Sequence, residues 1–308
     1  MDELDINLVR VLRDDPRQSN KKIAQSLEID EATVQRRVER LVSSGLLKLT
    51  ALPNLEMFGF PIRVYMLLQV DHLHMETIKQ QLCRTNDLRY VAACIGKADI
   101  FTRGDFSSME STLDFIAKLG KINGISSIDT MHVYKELKRY YLPLETPDSE
   151  TKMVPQINYH SLQPTDFKLI LQLQKNAQTP LKQLSETVGL SRSTIHRRIK
   201  YLTESGFIKF AAIMDDLKAG FPEPFNLRIK TKPDSMMEIA DRLCKYDYIS
   251  LVAIISGQTH IWVGGTSRSS NDLLNYVTQE INKTEGVFGI ESIDILKIWK
   301  NTYTWLVE

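Results

Sequence analysis

Apolar residues recur at intervals of three and four through residues 3–49: Leu4, Leu8, Val11 and Leu12, then Ile23, Ala24 and Leu27, then Val34, Val38 and Leu41. That spacing predicts three short amphipathic helices. Asp30 stands just before the third as an N-cap and Gly45 just after it as a stop, with Ser191 and Gly206 at the matching places of a second such stretch. After each glycine, Leu46-Leu47-Lys48-Leu49 and Phe207-Ile208-Lys209-Phe210 alternate enough for a short strand. From about residue 61 the period changes. Strands are predicted at 62–70, 88–95, 99–105 and 125–137, and helices at 75–83 and 108–119. The order returns as strands at 226–231, 249–256, 260–266 and 287–299 with helices at 235–245 and 271–283. Strand–helix–strand–strand–helix–strand is the order of a ferredoxin-like split βαβ unit, an antiparallel sheet with helices on one face.

The two stretches are copies. Shifting the chain by 161 positions sets residues 5–61 on 166–222 without a gap and gives 15 identical pairs in 57, where chance would give roughly three. Among them are Asp5, Thr33, Arg36, Arg37, Leu41, Gly45 and Pro61. The likeness weakens toward Gly96 on Gly257, and Gly124 meets Gly286 only after a slip of one residue. A duplicated α+β module is therefore expected: a winged helix-turn-helix domain at 1–60 and a ferredoxin-like domain at 61–142, a linker at 143–161, then the same pair at 162–221 and 222–308.

Composition narrows the class without naming a function. With 39 basic and 38 acidic residues, 43% hydrophobic and 25% charged, the chain of 308 residues reads as an ordinary soluble protein. No run of about 20 apolar residues offers a membrane span, and the acidic Asp2, Glu3 and Asp5 stand where a secretory signal would need basic and apolar ones. Cys83, Cys94 and Cys244 form no C-x-x-C, so neither a disulfide framework nor a zinc site is expected, and a reducing cytoplasm is. Cys83 and Cys244 fall at matching places on a helix and read as core packing. The near-neutral total hides a contrast: residues 1–50 carry nine basic and nine acidic side chains, residues 161–210 eight and three.

The third helix of each module is the candidate reading element, as in a helix-turn-helix whose last helix enters the major groove. On a helical wheel Val34, Val38 and Leu41 face the core, Ala32 and Arg36 face away, and Thr33 and Arg40 flank them. Arg37 falls at the core edge, from which its head is expected to reach a phosphate. An arginine fork suits a phosphate or the O6/N7 edge of guanine. The first head offers Thr33, Gln35, Arg36, Arg37 and Arg40, the second Arg192, Ser193, Thr194, His196, Arg197 and Arg198. The bland alternative for an Arg-Arg pair is a solvated face; its return as Thr-x-x-Arg-Arg in both copies argues for a shared task. The second head, being more basic, is expected to bind DNA more strongly.

Leu4-Asp5, the run from Ile29 through Thr33-Val34-Gln35-Arg36-Arg37 to Gly45-Leu46-Leu47, and Gly96-Lys97-Ala98-Asp99 resemble the Lrp/AsnC family of leucine-responsive, or feast/famine, transcription regulators. The resemblance implies a winged helix-turn-helix followed by a ferredoxin-like, RAM-type domain that dimerises and senses amino acids. A usual member has one such unit; this chain carries two, so its sensor domains are expected to pair within one polypeptide. Double-stranded DNA, an amino-acid effector and further homo-oligomerisation follow as expected partners. The implied effector residues are Gly96 and Asp99 with Asp105, Ser107 and Ser108, and in the second copy Gly257 and His260. Asp99 also reads as a plain hairpin-turn cap, and His260 as a satisfied strand-end histidine. The same resemblance extends to sirohaem decarboxylases of haem biosynthesis, the competing enzymatic reading. Those carry a His-Asn-Tyr run, and here the comparable stretches are Val91–Ile95 and Leu251–Ile255. The six histidines are scattered singly, so no catalytic pair, metal site or cofactor is expected.

Overall fold

A computed structural model describes residues 1–139, 162–246 and 248–302; the linker expected at 143–161 lies outside them. The first copy runs α1 (Glu3–Asp14), α2 (Asn20–Leu27), α3 (Glu31–Ser43), β1 (Leu47–Pro53), β2 (Ile62–Val70), α4 (Met75–Arg84), β3 (Leu88–Gly96), β4 (Ile100–Phe106), α5 (Met109–Leu119) and β5 (Ile125–Arg139). The second runs α6 (Pro164–Lys175), α7 (Leu181–Val188), α8 (Arg192–Glu204), β6 (Ile208–Met214), β7 (Glu223–Thr231), α9 (Met236–Leu243), β8 (Ile249–Ile255), β9 (Ile261–Ser267), α10 (Ser270–Asn275) and β10 (Val287–Asn301). The fold is α+β, two copies of a winged helix-turn-helix followed by a ferredoxin-like βαββαβ domain.

Local chemistry accounts for the helix ends. Asp30 and Ser191 accept the N–H groups of Thr33 and Thr194 and so cap α3 and α8. Gly45 and Gly206 follow with φ of +67° and +75°, a left-handed conformation that costs glycine nothing. Among the described residues no helix is long and apolar enough to cross a membrane.

Two compact units emerge, each built from both copies. One takes in residues 1–58 and 162–219, the other 59–139 and 220–302. In the first unit β1 is seven residues long, longer than the alternation around Leu46–Leu49 foretold, because it pairs antiparallel with its own counterpart β6 from Leu47↔Met214 to Pro53↔Ile208. Thr50 meets Ala211, its equivalent in the repeat, so the pairing is self-complementary like that of a two-fold dimer. Ala51 and Met57 of the first copy pack into the core of the second head, beside Leu169, Ile195, Leu202 and Phe207.

In the second unit each copy forms a four-stranded sheet, and the two close into one barrel in the order β10-β3-β4-β2-β5-β8-β9-β7. The seams are equivalent: Val133 on β5 pairs with Ile255 on β8, and Ile295 on β10 pairs with Cys94 on β3. Alternation along the strands sends Val64, Met66 and Leu68 outward to the helices α4 and α5, and Tyr65 and Leu67 inward. The long last strands exchange their ends, so Leu137 packs on the helical core of the second copy and Trp299 on that of the first. Closure leaves the sheets without free edges.

The one-residue slip in the repeat has a physical site. Ser108 and Ser269 cap α5 and α10 at the original offset, yet Gly124 and Gly286 stand one residue further apart. The helix expected over 271–283 is α-helical only as far as Asn275 and continues as a π-helix over Tyr276–Ile281, whose wider turn absorbs the extra residue.

Candidate nucleic-acid interface

The third helices are held by a buried carboxylate from the first. Asp5 and Asp166, 2% and 1% exposed, sit in the first turns of α1 and α6. Asp166 accepts from Arg198 Nε at 2.8 Å, with a second bond from Nη2, and the guanidinium stacks over Tyr201 at 4.6 Å. In the first copy Arg37 donates to Asp5 at 2.9 Å and to Asp2 at 2.7 Å, and Arg40, which takes the place of Tyr201, donates to Asp5 at 2.6 Å. Asp2 and Asp5 raise the Arg37 guanidinium above its ordinary pKa, so it is a fixed cation. Here the structure departs from the wheel-based expectation: Arg37 and Arg198 turn their heads inward to α1 and α6, and Arg40 is shared with Asp5. The aligned Asp5–Asp166 pair was the sequence signal for this clamp, since a repeated acid facing a repeated arginine has a partner in hand.

Asp166→Ala is expected to destabilise the chain by about 3 kcal/mol, because it removes the buried carboxylate that a largely buried guanidinium is paired with. Asp5→Ala should cost less, since Asp2 stays beside Arg37. Urea unfolding of the two variants checks both the size and the order.

The clamp leaves a defined outer face. On α3, Gln35, Arg36 and Arg40 are exposed and Thr33 is half-buried; Gln35 donates to Glu39 at 2.9 Å. On α8, Arg192, Ser193, His196 and Arg197 are exposed and Thr194 is half-buried. Arg36 and Arg197, equivalent in the repeat, have no ion-pair partner among the described residues. The helix starts differ in sign. Asp30 and Glu31 open α3, and bonds from Thr33 hold the Asp30 carboxyl below the usual range, whereas Ser191 and Arg192 open α8. A helix N-terminus attracts phosphate, and carboxylates placed there oppose it.

The candidate effector turns are also matched. Gly96 and Gly257 adopt φ of +114° and +112°, and a Cβ on Gly96 would come within 3.0 Å of the Ser292 carbonyl oxygen. Asp99 Oδ2 accepts the Val70 N–H at 2.8 Å, and His260 Nδ1 accepts the equivalent Thr231 N–H at 3.2 Å. Carboxylate and imidazole thus do the same backbone work, and the other Asp99 oxygen lies 3.5 Å from His72. Asp105 does not join Gly96 and Asp99 around one small site: six residue steps along β4 separate it from Asp99, about 20 Å. Its side chain, 1% exposed, turns inward to Arg63 at 2.7 Å. Ser108 is occupied in a capping box with Ser111, and Ser107 is exposed beside it. The sheet order sets this end of β4 two strands from the second copy's turn, because Val64 on β2 pairs with His132, whose carbonyl takes the Ser256 N–H. Burial pushes the Cys94 thiol up to about 12 and Cys244 to about 11, which suits packing rather than redox chemistry. No group of three or more candidate metal ligands occurs among the described residues.

Residues 1–42 match the family model for an AsnC-type helix-turn-helix domain, 63–143 that for an Lrp/AsnC ligand binding domain, and 162–209 that for a winged helix-turn-helix DNA-binding domain. The HTH-type transcriptional regulator FL11 of Pyrococcus furiosus is 36% identical over 138 residues, 44% of this chain and 91% of that protein. The HTH-type transcriptional regulator LrpA of Pyrococcus horikoshii is 28% identical over 122 residues, 39% of this chain and 86% of its own. In solved structures, the siroheme decarboxylase NirDL superposes with a TM-score of 0.70 at 11% identity, covering 97% of this chain and 92% of that one. At that identity the likeness is one of fold, and it extends across both copies.

Proposed function

The chain belongs to the Lrp/AsnC family, and from that premise we propose that it is a DNA-binding transcription regulator that presents two unlike reading heads on one polypeptide. The observation that carries the proposal is the division of labour on α3 and α8. Arg37 and Arg198 anchor each helix to a buried aspartate, while Arg36 and Arg197 stay exposed and unpaired on the outer face. In this reading Arg36 and Arg197 read base edges; Gln35 and Arg40 flank the first, and Arg192, Ser193 and His196 the second. Thr33 and Thr194 lie within reach of phosphates at the helix starts. The β1–β6 pairing joins the heads in one unit and so fixes the separation of their half-sites.

The regulator acts in the cytoplasm, and further copies of the chain associate with it. An amino-acid-sized effector is read at the Gly96–Asp99 turn and, with the Ser107–Ser108 segment, at the Gly257–His260 turn. Binding to duplex DNA followed by fluorescence anisotropy tests the proposal: log affinity should fall linearly with log salt, with a slope of about −0.9 for each phosphate neutralised. A salt-independent or absent association would sink it.

A second reading is favoured by one observation, the whole-chain fold likeness to a siroheme decarboxylase. A tetrapyrrole absorption band retained on purification would favour that enzyme over the regulator.

A further inference from the structure

At the end of the barrel interior where β2 begins and β4 and β5 end, four arginines meet two buried carboxylates. Arg63 donates to Asp105 and to Glu136, each at 2.7 Å; Arg139 donates to Glu136 at 2.8 Å; and Tyr65 Oη donates to Glu136 at 3.2 Å. These contacts satisfy one half of the cluster. The other half is left open. The side chains of Arg89, 7% exposed and set at a bulge of β3, and of Arg103, opposite Tyr65 and Tyr90 in the sheet, make no hydrogen bond or ion pair with any described residue. The Nε of each lies out of reach of solvent without an acceptor, and so does Asp105 Oδ2 without a donor.

Burying a charged group without a partner costs free energy on the scale of a protein's whole stability. Here two guanidiniums are in that state together, and burial pulls both below their ordinary pKa. Neighbouring Arg63 and Arg139 add to the strain on Arg103, whereas Asp105 opposes it. The cluster therefore carries an excess of two positive charges, and its unmet atoms are two donors and one acceptor. Solvent reaches it at the barrel mouth, where the side chains of Arg63, Arg139 and Glu136 keep 25%, 20% and 18% exposure.

The cluster is not a relic of the repeat. Its equivalents in the second copy are Pro224 for Arg63, Ser250 for Arg89, Gly264 for Arg103, Thr266 for Asp105, Ile298 for Glu136 and Asn301 for Arg139. Arg228, buried elsewhere in the barrel, by contrast has carboxylates beside it, Asp129 at 2.8 Å and Glu291 at 3.6 Å. Nor is the cluster the Gly96–Asp99 turn, which joins the opposite ends of β3 and β4. We propose that Arg63, Arg89, Arg103 and Arg139 with Asp105 form a binding site for a small doubly charged oxyanion, a dicarboxylate or a phosphate ester. Its acidic oxygens take the free Nε–H groups of Arg89 and Arg103, and a hydroxyl or amino group donates to Asp105 Oδ2. The site is independent of DNA binding.

The test uses the full chain in anion-poor buffer, titrated separately with malate and inorganic phosphate, and follows the melting temperature and calorimetric heat. A saturable rise in melting temperature with either probe supports the site, and the one that acts identifies the chemistry. Arg103→Met and Arg89→Met should each weaken that response about tenfold or more, the loss of one charge-assisted bond. Without anion both variants should melt at or above the wild-type temperature, because each removes an uncompensated charge. The Arg36→Ala/Arg197→Ala variant should keep the response. The proposal is overturned if neither probe gives a saturable rise, if both methionine variants respond like wild type, or if both melt lower without anion. Loss of the response in the Arg36→Ala/Arg197→Ala variant would equally overturn it, since the anion would then be bound on the heads.

Discussion

Replacing Arg36 and Arg197 together by alanine is expected to bring operator affinity down to that of unrelated DNA, a loss on the order of a thousandfold. A bidentate arginine–base contact is worth about 1–3 kcal/mol of discrimination, and the double variant removes one from each head. Stability should stay within about 0.5 kcal/mol of wild type, because both side chains are exposed and anchor nothing. The single variants should be unequal. Around Arg197 the outer face adds Arg192, His196 and Lys200, while around Arg36 the residues Asp30, Glu31 and Glu39 offset the arginines. Phosphate attraction therefore gathers at α8 and holds that head the more firmly on the duplex, so Arg197→Ala should cost more affinity than Arg36→Ala. Anisotropy titrations at fixed salt, paired with thermal melts, measure both quantities. Wild-type affinity in the double variant would remove the third helices from the interface, and equal single losses would remove the asymmetry.

What the sequence made legible was whatever depends on near neighbours. The period change near residue 61, the caps at Asp30 and Ser191 and the duplication itself are local signals, and the elements built on them stand within a few residues of expectation. Site residues were legible only as types. The wheel separated Val34, Val38 and Leu41 from Arg36, yet it set the head of Arg37 toward a phosphate. The acceptor that claims it, Asp5, is 32 residues away and meets it only when α1 crosses α3. Pairing between the copies was equally hidden. Residues Thr50 to Pro53 lack a strand's alternation and are ordered by β6, more than 150 residues later. The oxyanion cluster had no sequence signal at all: its arginines are spread from Arg63 to Arg139 and have no counterpart in the second copy. Chain neutrality concealed the contrast between the heads, because a sum over 308 residues has no position.

Trp262→Ala is expected to cost about 4 kcal/mol, the largest loss from a single core truncation in the barrel. Trp262 is fully buried in the barrel interior, stacked on Phe101 at 4.6 Å and tilted against Tyr65 at 5.0 Å. Those neighbours belong to the first copy, and Phe101 is the repeat equivalent of Trp262 itself. Its indole N–H also donates to Asn226 at 3.1 Å, so truncation leaves that amide oxygen buried without a donor, a further penalty of about 1–3 kcal/mol if no water replaces it. The effect should exceed that of Ile239→Ala. Ile239 is buried just as well, but it lies on α9 and packs within the helical core of the second copy. Trp262→Phe, which installs the first copy's own residue, refills most of the volume and should recover more than half of the loss while leaving the Asn226 amide unmet. Urea unfolding followed by far-ultraviolet circular dichroism gives all three values. If Trp262→Ala cost no more than Ile239→Ala, the aromatic stack would not be what joins the two sheets. If Trp262→Phe were no better than alanine, the hydrogen bond to Asn226 and not the packing would carry the energy.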